Sequence, residues 1–299
     1  MELRIDSLVK CYKNVPALDG FSAVLTEGIY GLIGPNGSGK TTLMKLITKN
    51  LAPDSGKVYL NGEDTDRLGG NYLSLIGYMP QEARLYPQLG VLDFMYYSAA
   101  LKGIDKSAAD RMIPGILDEV SLSDASRKRI SQLSGGMRQR LCFAQALLGD
   151  PPILLLDEPA AGLDPSQRAR VRSMLSRMAS DRIILLATHV ISDAEGIAGN
   201  LILLSRGKLE AMLPPGELVK RLEGRVFTVP AGMLGALPSD MIEMSAPAVM
   251  NGAPAFRVVC ESPPDGGVLA VPTLEDAYLY FYRDRKGSKS GSAPGIDKS

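Results

Sequence analysis

Gly34-Pro35-Asn36-Gly37-Ser38-Gly39-Lys40-Thr41, followed by Thr42, matches G-x-x-x-x-G-K-[ST] in full. The residue types suit one chemistry. Glycines let the backbone curl so that successive N–H groups point at a single anion. A helix beginning at the end of the loop adds about half a positive charge in the same direction. Lys40 offers a point charge to β- and γ-phosphates, and the Thr41 hydroxyl can coordinate Mg²⁺. Further along, Ile153-Leu154-Leu155-Leu156-Asp157-Glu158 is an apolar run ending in two carboxylates. Asp157 suits a metal, directly or through water. Glu158, one step beyond, suits a base that orients and deprotonates a water attacking the γ-phosphate.

Two more features belong to this group. In Leu133-Ser134-Gly135-Gly136-Met137-Arg138-Gln139-Arg140, Ser134 is placed as an N-cap. The two glycines behind it leave helix-start N–H groups open to a further phosphate contact. Each costs ~1 kcal/mol relative to Ala, which a purely structural helix start would avoid. His189 is the single histidine of the chain and follows the apolar run Ile183–Ala187, where sites on open parallel sheets gather.

These residues need strands that end together and helices that begin there. Glu2–Val9 alternates like a strand, Ile29–Ile33 leads into the glycine-rich turn, and Thr41–Lys49 has helical spacing. Lys57–Leu60 followed by Asn61-Gly62 reads as a strand and turn. Tyr72–Lys102, Asp105–Val120, Gly135–Leu148 and Val171–Ala179 read as mainly helical, and Gly149-Asp150-Pro151-Pro152 is a strong terminator. Ile153–Leu156, Ile183–Ala187 and Leu201–Ser205 have the all-apolar texture of strands buried on both faces of a parallel sheet. Alternating strands and helices predict an α/β layer architecture.

The texture changes at Pro214-Pro215-Gly216. Beyond it the expected elements are a helix at Glu217–Leu222, strands at Val226–Val229, Phe256–Cys260 and Gly267–Val271, and a helix at Thr273–Tyr282. Thr273 would cap that helix, with Glu275 and Asp276 in its first turn. The organisation predicted is a domain over 1–213 with a helical subdomain at about 72–145, a small α+β domain over 214–286, and a disordered tail over 287–299. The aromatic cluster Phe94, Tyr96 and Tyr97 has two readings, an exposed face that meets a partner or side chains packed in the core.

Composition sets outer limits. The 299 residues include 33 Lys plus Arg and 33 Asp plus Glu, giving no net charge and no global case for nucleic acid. Hydrophobic residues are 45%, which excludes disorder over the whole chain. Cys11, Cys142 and Cys260 are odd in number and far apart, so neither a disulfide framework nor a zinc site is expected. The N-terminus lacks a signal-peptide pattern, and no run reaches 18 apolar residues.

Taken in order, Tyr12, the Gly34–Thr42 loop, Gln81 in Met79-Pro80-Gln81, the Leu133–Arg140 segment, Asp157-Glu158, Ala161-Gly162-Leu163-Asp164 and Thr188-His189 resemble the nucleotide-binding subunits of ATP-binding cassette transporters. The resemblance covers roughly residues 1–212. It implies a P-loop NTPase cassette, with a mixed sheet core and a helical subdomain, that binds and hydrolyses ATP with Mg²⁺. Tyr12 would then stack on adenine, and Gln81 would touch the metal or water and sense the γ-phosphate. The cradle Gly34, Asn36, Gly37, Ser38, Gly39, Lys40, Thr41 and Thr42 would hold the phosphates, and Asp157, Thr41 and Gln81 the metal. Glu158 and His189 would serve the reaction itself. Ser134, Gly135 and Gly136 would reach the γ-phosphate held by a second cassette, with Asp164 across that interface.

Two positions depart from the family pattern: exporter members often have Leu-Thr-Val where this chain has Leu89-Gly90-Val91, and Thr where it has Ala160. With one cassette and no spanning segment, the resemblance implies a homodimer or heterodimer of cassettes. It further implies a separate polytopic permease and a cytoplasmic position on the inner face of the membrane. Gln81–Pro87, Leu101–Ile104 and Thr273–Tyr280 look like cassettes serving drug, antibiotic and lipid exporters. The alternative class is a soluble cassette ATPase acting on ribosomes or DNA, which usually holds paired cassettes or long coiled coils. A small-molecule P-loop kinase leaves the Leu133–Arg140 segment without a role.

Overall fold

The computed structural model describes residues 1–82, 85–232, 242–250 and 252–287, and the chain divides into two units, Met1–Met212 and one beginning at Leu213. The first unit opens with β1 (Leu3–Tyr12), β2 (Val15–Leu25), β3 (Gly28–Ile33), α1 (Lys40–Ile47) and β4 (Ser55–Leu60). After these come β5 (Glu63–Asp64), α2 (Thr65–Leu68), α3 (Gly70–Ser74) and β6 (Ile76–Met79). Three longer helices follow: α4 (Val91–Leu101), α5 (Lys106–Glu119) and α6 (Gly135–Ala146). The unit closes with β7 (Ile153–Asp157), α7 (Pro165–Met178), β8 (Ile183–Thr188), α8 (Ile191–Ala194), β9 (Asn200–Ser205) and β10 (Lys208–Leu213).

Two sheets carry this unit. One has the order β2-β1-β4-β5; the other has six strands in the order β10-β9-β3-β8-β7-β6. Leu43, Met44, Leu46 and Ile47 of α1 share one buried apolar cluster with Leu3 and Ile5 of the first sheet and with Ile153 and Leu185 of the second. Burying each such side chain contributes roughly 1.5–3 kcal/mol, which anchors α1 to both sheets. Parallel registers Met79↔Leu156, Asp157↔Ala187 and Ile33↔Thr188 bring the ends of β6, β7, β8 and β3 to one edge. Gln81, Glu158, His189 and Gly34 each follow one of those ends.

The sequence expectations need correction at several points. The Tyr72–Lys102 stretch is not mainly helical: β6 lies inside it, paired to β7. Gly77 explains the strand, because a Cβ there would lie 2.1 Å from the Ala146 carbonyl, so only a bare backbone fits under the end of α6. Strands β2 and β10 were not anticipated; Pro16 and Gly20 interrupt the alternation in β2 although Leu18, Phe21 and Leu25 are buried. Helix α7 begins at Pro165, six residues before the expected Val171, because Asp164 caps it by accepting the Gln167 N–H at 2.9 Å. The aromatic cluster divides between the two readings. Phe94 is buried, and the half-buried Tyr96 donates its hydroxyl to Asp110 at 2.7 Å. Tyr97 is exposed and packs edge-on against exposed Tyr86, with ring centroids 5.8 Å apart.

The second unit contains α9 (Pro215–Lys220), β11 (Val226–Pro230), β12 (Ile242–Met250), β13 (Ala253–Val259), β14 (Val268–Leu269) and α10 (Leu274–Gly287). Its antiparallel sheet has the order β12-β13-β11-β14. β12 was not anticipated; its register with β13 shifts between Met244 and Pro247. Thr273 does cap α10: its hydroxyl accepts the Asp276 N–H at 3.1 Å, while Asp276 accepts the Thr273 N–H at 2.8 Å. Gly287, expected in the tail, is the last residue of α10; the rest of that tail, 288–299, lies outside the described residues.

Candidate active site

The Gly34–Thr41 loop runs from the end of β3 into α1. Gly39 adopts φ 111°, and a Cβ there would lie 2.3 Å from the Ala17 carbonyl, so glycine is required twice over. At Gly34 a Cβ would lie 2.4 Å from the Leu204 carbonyl and 2.6 Å from Ser38 Oγ. No side chain caps α1 and its first turn holds no acidic residue, so its leading N–H groups face the loop without a competing anion. Ser38 Oγ is buried without a hydrogen-bond partner. A buried orphan hydroxyl is costly, and a phosphate oxygen is the kind of acceptor that would satisfy it. Asn36 is exposed at the loop's turn, and Thr42 is half-buried.

Lys40 is buried and donates to the carbonyls of Gly34 at 2.7 Å and Pro35 at 3.2 Å. Burial lowers its pKa from the ordinary lysine value, and the Glu158 and Asp157 charges partly oppose this. Thr41 donates its hydroxyl to Asp157 Oδ2 at 2.8 Å. Asp157 is 1% exposed. Burial pushes its carboxyl above the usual range and neighbouring Glu158 adds to this; the Thr41 hydrogen bond, Lys40 and Lys45 work against it. A hydroxyl and an under-compensated carboxylate side by side form an oxygen donor set of the type hard divalent cations take.

Glu158 is buried and sits at φ 54°, the left-handed region that a branched or long side chain avoids without support. Its N–H donates to the Ala187 carbonyl at 2.9 Å. Its carboxylate accepts the His189 backbone N–H at 3.0 Å, and Oε1 lies 2.6 Å from His189 Nδ1. An ionised carboxylate only accepts, so this pairing assigns the ring proton to Nδ1 and turns Nε2 outward. The second oxygen, Oε2, accepts the Thr188 hydroxyl at 3.3 Å. Lys40, Thr41, Asp157, Glu158 and His189 therefore form one constellation, drawn from two strand ends and one helix start.

The remaining candidates stand around it. Tyr12 ends β1, is exposed, and lines a cleft of about 600 Å³ with Lys45, Asn50, Tyr78 and Lys102. Gln81 is exposed beyond β6 and lines a cleft of about 660 Å³ with Leu85, Pro87, Gly135 and Arg138. Ser134 caps α6, accepting the Met137 N–H at 3.2 Å, with Gly135 and Gly136 in the first turn. Asp164 caps α7. Among the described residues, no side chain of Tyr12, Gln81, Ser134 or Asp164 hydrogen-bonds to the constellation. Two contributors had no role assigned from sequence: Thr188, which supports Glu158 and was named only as the neighbour of His189, and Lys45, whose charge acts on Asp157. Thr188 was findable, as a hydroxyl directly before the only histidine; Lys45 gave no signal beyond its place one turn into α1.

Comparison with known proteins gives a consistent picture. The family described as ABC transporter matches residues 20–161. An uncharacterized ABC transporter ATP-binding protein, YxlF of Bacillus subtilis (strain 168), is 36% identical over 76% of this chain and 76% of its own. The daunorubicin resistance ATP-binding protein DrrA3 of Streptomyces coeruleorubidus is 31% identical over 97% of this chain and 98% of its own. Among solved structures, the dimeric post-hydrolysis state of the ATP-binding cassette MJ0796 bound to ADP and Pi aligns with TM-score 0.66 and 25% identity, covering 71% of this chain and 98% of that one.

Proposed function

The chain belongs to the ABC transporter family as an ATP-binding subunit with ATPase activity, and we propose that it pairs with a second cassette around two ATP molecules and drives a separate membrane permease in export. The observation that carries this reading is the constellation joining Lys40, Thr41 and Asp157 to Glu158 and His189. Export is supported by the similarity to a daunorubicin resistance protein over nearly the whole chain. Pairing is supported by the dimeric cassette of similar fold. Among the described residues no helix is long and apolar enough to cross a membrane.

In this reading the loop N–H groups, the α1 start and Ser38 Oγ bind the phosphates, and Lys40 leaves its carbonyl contacts to face them. Tyr12 stacks on the adenine. Thr41 and Asp157, with Gln81, hold Mg²⁺, which when bound neutralises charge on the β- and γ-phosphates. Glu158 orients the attacking water and takes its proton. His189, held through Nδ1, presents Nε2 toward the γ-phosphate. Ser134, Gly135, Gly136 and Asp164 complete the partner's site. Because bound ATP would stabilise only the closed pair, Glu158→Gln is expected to elute as a dimer with Mg-ATP and as a monomer with Mg-ADP. Identical monomeric profiles in both would count against shared sites.

For the permease, the exposed Tyr86–Tyr97 pair beside the Gln81 cleft is the proposed docking surface, since aromatic anchors suit a short helix seated in a groove. Tyr97→Asp is expected to abolish co-sedimentation with membranes carrying the permease and to spare basal ATP hydrolysis.

A further inference from the structure

One contact to Glu158 comes from none of the strand ends. Gln139, on the second turn of α6, donates its side-chain N–H to the Glu158 carbonyl at 2.8 Å. A carbonyl can only accept, so the amide must turn its NH₂ toward Glu158. The same carbonyl receives the Ala161 N–H at 3.1 Å, and the Glu158 N–H is bound to Ala187. Glu158 therefore keeps its left-handed φ of 54° with its N–H and its carbonyl both held from outside the residue. A non-glycine residue stays in that region only where surrounding contacts over-determine it.

The direction of the Glu158 carboxylate follows from that backbone. Helix α6 is in turn fixed by Arg140, which donates to the carbonyls of Val120 at 2.9 Å and Ser121 at 2.7 Å. Gln139 is half-buried and lies five residues beyond Ser134, on the same rigid helix.

We propose that Gln139 is a positioning residue for ATP hydrolysis: its amide fixes the left-handed turn at Glu158 and ties the aim of the base to the seating of the α6 start. This rests on the reading of Glu158 as the base. It assigns Gln139 no contact with nucleotide. Removing the donor should leave nucleotide binding intact and misplace the base, and a misplacement near 1 Å can cost up to ~10²-fold in rate.

The test uses the full chain in four variants: Gln139→Met, which keeps length and removes the donor; Gln139→Lys, which restores a donor; Glu158→Gln; and Gln139→Met with Glu158→Gln. Steady-state ATP hydrolysis and thermal melting are measured for each. The expected result is that Gln139→Met lowers kcat by about 10-fold with KM unchanged, melting within a few degrees of wild type. Gln139→Lys should recover most of the loss, and the double variant should be no slower than Glu158→Gln alone. A slow Glu158→Gln beside a Gln139→Met of near wild-type kcat overturns the inference and leaves the base assignment standing. Losses that multiply in the double variant, or a KM that rises with kcat unchanged, overturn it as well. A Glu158→Gln of wild-type rate overturns the base assignment, and the inference falls with it.

Discussion

Asp157 in the first unit is 1% exposed and Asp276 in the second is 0% exposed. Asp276 is met by Arg257, whose Nε donates to Oδ1 at 2.9 Å and whose NH2 donates to Oδ2 at 2.6 Å. The Thr273 N–H and hydroxyl, each at 2.8 Å, complete its shell. Burial alone would raise the Asp276 pKa, but these partners overcome it and hold the carboxyl below the usual range. Asp157 has one hydroxyl, from Thr41, and its carboxyl is pushed up instead. The same residue at the same depth is a closed ion pair in one place and an open one in the other. An ion pair completed inside the chain locks a helix start to a sheet; a carboxylate left short of cations keeps its affinity for one that arrives with the substrate.

The largest effect should come from the open side. Glu158→Gln is expected to keep Mg-ATP binding and slow turnover by ~10²–10⁴, the usual worth of a general base, whereas Lys40→Ala should weaken binding itself. Nucleotide titration beside steady-state turnover separates the two, and a Glu158→Gln of undiminished rate would remove the base from the site.

The closed side comes next. Arg257→Ala leaves Asp276 buried without its cation, at a cost of about 3–5 kcal/mol in the stability of the second unit. Denaturant unfolding followed through the tyrosines of α10 would read this. A loss under 1 kcal/mol would mean that the pair is ornamental and the contrast with Asp157 empty.

A matched pair of substitutions sharpens the contrast directly. A folded carboxyl whose pKa is raised, as for Asp157, loses stability as pH climbs from the ordinary value of 3.8 toward the raised one. One whose pKa is lowered, as for Asp276, holds its stabilisation in full above 3.8 and loses it as pH falls below that value. At pH 7, without nucleotide, Asp157→Asn should therefore raise the melting temperature, by about 2–4 °C for ~1 kcal/mol, and Asp276→Asn should lower it. If both shifts have the same sign, the two environments do not differ as described.

The narrowest effect, confined to alkaline pH, concerns Lys102, which donates to the carbonyls of Ile76 at 3.1 Å and Leu148 at 2.8 Å and has no carboxylate partner among the described residues. Burial pulls its pKa down from 10.5 to about 8. Between those values the unfolded chain holds a proton that the folded chain has released, so stability rises with pH across that window. Lys102→Met should remove that rise, which at about 1.36 kcal/mol per unit amounts to about 3 kcal/mol at most, read as the difference between the pH–stability curves of variant and wild type.

What the sequence disclosed follows a physical division. Lys40, Thr41 and Asp157 were legible because a phosphate loop and a strand-end carboxylate need particular residues in short contiguous runs. The Glu158–His189 contact joins residues 31 apart. Each was singled out, but the bond between them depends on the β7/β8 register. The same holds for Gln139 on the Glu158 carbonyl, and for Tyr96, whose hydroxyl partner Asp110 belongs to the next helix. β6 was hidden because Ile76-Gly77-Tyr78-Met79 is too short to show a period, and its pairing partner begins at Ile153. Helix α5 behind Asp105 and helix α10 behind Thr273 could be placed from local chemistry, whereas α7, equally capped by Asp164, was entered six residues late because its first turns carry few apolar residues.

Gly77 also sets how this chain can vary. The end of α6 rests on it with no room for one more carbon, and the 12 residues of α6 span about 18 Å back to the start at Ser134. An added methyl at position 77 is thus a wedge under one end of a lever. It shifts the far end while leaving every phosphate-loop side chain chemically intact. A lineage or a mutagenesis library that samples alanine there would yield chains that still recognise nucleotide and have lost their gearing. Second changes that restore the gearing belong where the wedge meets side chains that can give way, at Pro151 and Leu154, rather than in the loop around Lys40.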